Sequence, residues 1–137
     1  MDVTDEVKWP AGYAEFYHSI RLHRERILTG TVIAIDPSSG GASQPGFAIY
    51  KAGEIVTSGD LDLPSKRPIY ERLQLLHERV MKLTPEPPDV FVIEQIRGQR
   101  FSHHFLLFSI GATIAAARTP RVIEIPLNVW RALAKAT

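Results

Sequence analysis

Thr31-Val32-Ile33-Ala34-Ile35-Asp36, read together with Val90-Phe91-Val92-Ile93-Glu94, decides the fold. Each stretch is a run dominated by β-branched and aromatic residues and too short for a helix, so each reads as a strand buried on both faces. Each ends in a carboxylate. If the two strands are parallel neighbours, both acids leave the sheet at one carboxyl edge, where open α/β sheets place their ligands. Paired acids at such an edge point to a divalent-metal site, and so to hydrolysis of a phosphate or glycosyl bond.

The flanking sequence supplies the rest of the sheet. Residues 37–46 are a loop rich in Ser, Gly and Pro, after which Phe47 to Tyr50 returns as a strand. Lys51-Ala52-Gly53-Glu54 is a hairpin turn and Ile55 to Leu63 a third strand. Pro64 to Pro68 links to an amphipathic helix, Ile69 to Leu83, with Ile69, Leu73, Leu76, Val80 and Leu83 on one side. Thr84-Pro85-Glu86-Pro87-Pro88 stops it. The strand ending at Glu94 follows, then a polar loop to Ser102, a helix to Arg118, a strand from Arg121 to Ile125, and a last helix from Pro126. Three hairpin-linked strands followed by alternating helices and strands predict an α/β, five-stranded mixed sheet with helices on its faces. That order is the ribonuclease H-like fold.

Residues 1–30 read as a helical extension before the domain at 31–137. Tyr13, Phe16, Tyr17, Ile20 and Ile27 have helical spacing between Tyr13 and Leu28, and Gly30 closes the helix. The opposite face carries Arg21, His23, Arg24 and Arg26. It is either a solvated basic face or an arm that contacts DNA or a second copy of the chain.

Composition narrows the class. A chain of 137 residues fits one domain with a real core, and 45% hydrophobic with 23% charged residues is ordinary for a soluble protein. Without cysteine there is no disulfide framework or thiolate site, which points to a reducing, cytoplasmic setting. The charge-free run 105–117 is shorter than the roughly 20 residues a bilayer span needs. The acidic N-terminus, with Asp2, Asp5 and Glu6, is no signal peptide. The expected partner is therefore not a membrane.

The overall charge of +1 hides an asymmetry: from Gln95 onward six bases face the single acid Glu124, a net +5. Directly after Glu94, the stretch Arg97-Gly98-Gln99-Arg100-Phe101-Ser102-His103-His104 places arginines, an amide and a ring beside the proposed metal edge. Arg97, Gln99, Arg100 and His103 suit phosphate contacts, and Phe101 suits stacking on a base. His103 and His104 are neighbours, pointing about 100° apart on a helix, so they do not share a metal. Ser38-Ser39-Gly40-Gly41 lacks the Lys-Ser/Thr of a P-loop and leads into a strand, which makes it a poor nucleotide signal. Taken singly, Asp36 could start an Asp-Pro turn and Glu94 could sit in a helix first turn. Their equivalent positions on two apolar strands favour the metal.

Ile33-Ala34-Ile35-Asp36-Pro37-Ser38, Gly46-Phe47-Ala48, Val92-Ile93-Glu94-Gln95 and Ile125-Pro126 followed by Val129-Trp130-Arg131 together resemble the RuvC-like Holliday junction resolvases, with a flavour of the phage and prophage members. The resemblance covers residues 31 to 135. It implies a homodimeric endonuclease that nicks four-way DNA junctions with Mg²⁺ or Mn²⁺. Asp36 would be the first-strand metal ligand and Glu94 the second, and Arg97, Arg100 and Phe101 would meet the junction strand. Members of that family take further acids from a helix after the fifth strand, whereas residues 126–137 contain neither Asp nor Glu. The sequence thus leaves three alternatives: a truncated resolvase, one that binds branched DNA without cutting, or one completed by Asp2, Asp5, Glu6 or Glu124. An actin-like nucleotide-binding fragment shares the strand order, but would normally need a second half.

Overall fold

A computed structural model of the chain describes residues 12–36, 45–64, 66–95, 111 and 113–126. Two helices come first, α1 (Tyr13–Leu22) and α2 (Arg24–Thr29), followed by strands β1 (Thr31–Asp36), β2 (Gly46–Lys51) and β3 (Glu54–Asp60). Helix α3 (Ile69–Met81) and strands β4 (Val90–Gln95) and β5 (Val122–Pro126) complete the named elements, with residues 113–117 helical between the last two. The sheet order is β3-β2-β1-β4-β5. β1 and β2, like β2 and β3, are antiparallel, while β1 with β4 and β4 with β5 are parallel. This is the mixed sheet that the strand order predicts. The expected helix from Pro126 and the loop 37–44 lie outside the described residues.

The sheet has two unlike faces. One carries Ile33, Ile35, Ile49, Phe91 and Ile93, packed against Leu76 and Val80 of α3 and against Ala116 and Ala117. These large aliphatic side chains alternate along each strand with the smaller or polar residues of the other face, the period-2 pattern of a pleated strand. On the second face Val32, Val90 and Ile123 form a smaller cluster under Phe16, Ile20 and Ile27 of the N-terminal helices. That cluster occupies only the half of the face near the strands' parallel starts.

Several boundaries differ from the sequence reading, each for a physical reason. The N-terminal helix is not continuous from Tyr13 to Leu28: His23, at φ −107° and ψ 13°, separates α1 from α2 and bends the chain so that both Ile20 and Ile27 reach the sheet. Gly30 is extended, at φ −103° and ψ −165°, so it is not required as a left-handed helix cap. Its missing side chain matters instead because a Cβ there would collide with the Asp89 carboxylate and, at 2.7 Å, with the Arg26 carbonyl. The third strand ends at Asp60, short of Leu63. Asp62 takes φ +55°, and this left-handed step lets both Leu61 and Leu63 turn into the core, where they are 3% and 1% exposed. Ile69 is 43% exposed and does not join the apolar side of α3. The two-residue hairpin loop has positive φ at both Ala52 (51°) and Gly53 (80°), as a tight turn matched to strand twist requires.

At the start of β1 and β4 the chain is fastened. The Asp89 amide donates to the Thr31 carbonyl at 2.8 Å, and the Thr31 amide donates back to Asp89 Oδ2 at 2.8 Å. Arg121 Nη1 donates to the Asp89 carbonyl at 3.5 Å, tying β5 to the same point. We expect Asp89→Ala to lower the unfolding free energy by about 1–3 kcal/mol, because it strands a half-buried amide, as read by urea denaturation. Leu76→Ala, in the main core, should cost about 2–5 kcal/mol in the same titration.

Candidate active-site edge

From the fastened start, equal strand lengths carry β1 and β4 to one edge. The parallel register pairs Val32 with Val90 and Ile35 with Ile93, so Asp36 and Glu94 occupy the next positions on adjacent strands. Neighbouring strands lie about 4.8 Å apart, a separation that two carboxylates bridging one cation can span. Asp36 is exposed at the end of β1, as the last residue of an otherwise largely buried strand.

A further acid belongs to this row. Asp36 pairs with Gly46, and Gly46 pairs with Asp60 at the end of β3. Directly paired residues share a face, so Asp36 and Asp60 flank a position that has no side chain. One step down the strands the paired residues are Val92, Ala34, Ala48 and Ser58. Three of these four are small. The result is a cavity of about 550 Å³ lined by Ala34, Asp36, Gly46, Ala48, Ser58 and Asp60, with Val92 and Ile125 on its far side. The cavity begins where the cover of Phe16, Ile20 and Ile27 ends. Asp60 is hidden from the sequence: counting the hairpin register back from the Ala52-Gly53 turn puts Gly59 opposite Gly46, and only the irregularity at Ile49/Tyr50 shifts the pairing by one residue to Asp60.

The other expected site residues fall differently. Glu124 pairs with Ile93, whose side chain lies in the main core, and is therefore on the face opposite Asp36. It does not complete the site. Of the basic residues after Gln95, Arg118 bonds the carbonyls of Met81 and Thr84, and Arg121 that of Asp89. Both stand at the strand starts, away from Asp36. Arg97, Gln99, Arg100, Phe101 and His103 lie outside the described residues, as do Asp2, Asp5 and Glu6. Among the described residues, no group of three His, Cys, Asp or Glu side chains is placed to hold a metal. The donor set at the edge still suits Mg²⁺, which usually takes one or two carboxylates and completes its octahedron with water and substrate phosphate. No helix of the described residues is long and apolar enough to cross a membrane.

No protein-family model matches the sequence, and no curated protein matches it either. Solved structures do match. Thermus thermophilus RuvC in complex with a Holliday junction substrate superposes with a TM-score of 0.57 at 20% identity, covering 71% of this chain and 64% of that one. A second Thermus thermophilus RuvC structure gives a TM-score of 0.54 at 21% identity, covering 70% and 63%. The chain thus spans a little under two thirds of the RuvC structures it matches. Neither match supports a phage-type subgroup.

The open cavity makes a packing contrast testable. Ala48→Leu, at its floor, should change stability by no more than about 0.5 kcal/mol, whereas Ala116→Leu, in the filled core, should cost about 1–3 kcal/mol in thermal melts. The five-stranded mixed sheet, its helices and the superposition together give this chain the ribonuclease H-like fold seen in RuvC resolvases.

Proposed function

We propose that the chain is a metal-dependent endonuclease acting on four-way or other branched DNA, working as a homodimer so that paired nicks are made. One observation carries the reading: the parallel β1–β4 register sets Asp36 and Glu94 side by side at the open edge of a fold shared with a junction-bound RuvC. Asp36 and Glu94 would hold Mg²⁺ or Mn²⁺, which when bound supplies Lewis acidity toward a phosphodiester and the attacking water. The protein's own part is to bind and orient. Arg97, Gln99, Arg100 and His103 would contact phosphates, and Phe101 would stack on an unpaired base beside Glu94. The small side chains of Ala34, Ala48 and Ser58 leave room at the edge for a strand to approach.

A second reading is a protein of the same fold that binds branched DNA without cutting it, since among the described residues no three His, Cys, Asp or Glu side chains are grouped to hold a metal. An end-labelled four-way junction separates the two, incubated with Mg²⁺, Mn²⁺ or EDTA and resolved on native and denaturing gels. The nuclease predicts paired, metal-dependent nicks, and a rate reduced about 100-fold or more in Asp36→Asn, the scale of losing one transition-state stabiliser. Asp36→Asn should still bind the junction. Binding without nicks at any metal concentration would establish the second reading, and no binding at all would overturn both.

A further inference from the structure

The N-terminal helices present a surface that neither the fold nor the proposed site uses. Helix α1 packs half-buried Phe16 and Ile20 against the sheet, while Tyr17, Arg21 and Leu22 are exposed. On that outer side Tyr13 and Tyr17 stack with ring centroids 6.0 Å apart and planes 18° from parallel. The Arg21 guanidinium lies over the Tyr17 ring, 5.9 Å from its centroid. Positions 13, 17 and 21 are successive i, i+4 steps, so the three side chains form one column along the helix. Arg24 and Arg26 of α2 are also exposed, though two positions apart they stand on different sides of that helix.

Among the described residues, none of these three exposed arginines forms an ion pair. Glu15 and Glu25 are on the same two helices, yet among the described residues the ion pair formed is Arg67 with Glu71, elsewhere in the fold. Arg21, held over a ring and not paired with any described acid, presents its charge to an anion from outside. Position supplies the second argument. A Cβ on Gly12, just before α1, would lie 3.1 Å from Pro126 Cγ at the carboxyl end of β5. Pro126 pairs with Gln95, the residue after Glu94. The column therefore starts at the edge that holds Asp36 and runs away from it along β5. From Tyr13 to Arg21 is about 12 Å of helix, three or four steps of duplex at about 3.4 Å each.

We infer that this column is a second DNA-binding surface, which takes the phosphate backbone of a duplex arm leaving the proposed active-site edge. The inference rests on the reading of the chain as a branched-DNA-binding protein. Arg21, with Arg24 at the start of α2, neutralises phosphates, and the Tyr13–Tyr17 stack holds Arg21 at a fixed height on the helix. A surface of this kind adds affinity for any sequence and steepens the salt dependence.

The test uses the full chain, a fluorescent four-way junction and a linear duplex of matched arm sequence. Affinity is measured by anisotropy in EDTA from low to moderate salt. Arg21→Ala/Arg24→Ala should weaken junction binding about 10-fold or more at low salt and reduce the slope of log Kd against log salt by about 2, one unit per lost phosphate contact. Tyr17→Ala should lose part of that affinity, and Arg21→Lys should keep the slope. Melting temperature and sedimentation are recorded for each variant. Wild-type binding with an unchanged slope in the double variant would overturn this inference and leave the proposed function standing. The same holds if the double variant changes only the oligomeric state, since the face would then join two copies of the chain. A wild-type protein that binds neither DNA would overturn both. Should the double variant melt early, Arg24→Ala alone, on the surface of α2, carries the slope test at about one unit.

Discussion

The reciprocal hydrogen bonds between Thr31 and Asp89 are the constraint on which the rest of this structure depends. They fix where β1 and β4 begin, and the parallel ladder then leaves no freedom in where the strands end. A slip of one residue would move Ala34 and Asp36 together onto the face packed by Leu76 and Val80 and turn Ile33 and Ile35 off it, exchanging buried aliphatic side chains for a carboxylate that is costly to bury unpaired. The same point explains Gly30. Its lack of a side chain lets Asp89 approach the β1 start closely enough to accept from Thr31. Arg121 extends the fastening to β5, so three parallel strands share one origin and one level edge.

The two faces of the sheet divide the work. Large aliphatic side chains from β1, β2 and β4 interlock with α3 and close one face, while on the other Ala34, Gly46, Ala48 and Ser58 withdraw side-chain volume next to Asp36 and Asp60. Such a hollow forgoes the packing that would stabilise a core, of order 1 kcal/mol for each buried methylene given up. It is placed where the N-terminal helices stop covering the sheet. Stability is concentrated at the strand starts and open space at the strand ends.

Much of this was legible in the sequence. The unbroken apolar runs at 31–35 and 90–93 specify central strands, because no other element buries both sides of so short a segment, and the strand–helix order then leaves few topologies. The Ala52-Gly53 turn was readable from its residue types. What was not readable lay in backbone steps that tertiary contacts decide. The break at His23 serves two aliphatic anchors, and the left-handed step at Asp62 ends β3 early so that Leu61 and Leu63 can both be buried. The irregularity at Ile49/Tyr50 conceals Asp60, and the face of Glu124 depends on a parallel register that no local pattern encodes.

The central claim is that the carboxyl edge of β1 and β4 binds a divalent cation through Asp36 and Glu94. Paramagnetic broadening of backbone amide resonances by substoichiometric Mn²⁺ tests it most directly, on the wild-type chain and on Asp36→Asn. The account predicts losses centred on the ends of β1 and β4 and on Gly46, sparing Thr31 and Asp89 at the far edge, and abolished by the substitution. Broadening centred elsewhere, or unchanged in Asp36→Asn, would contradict it.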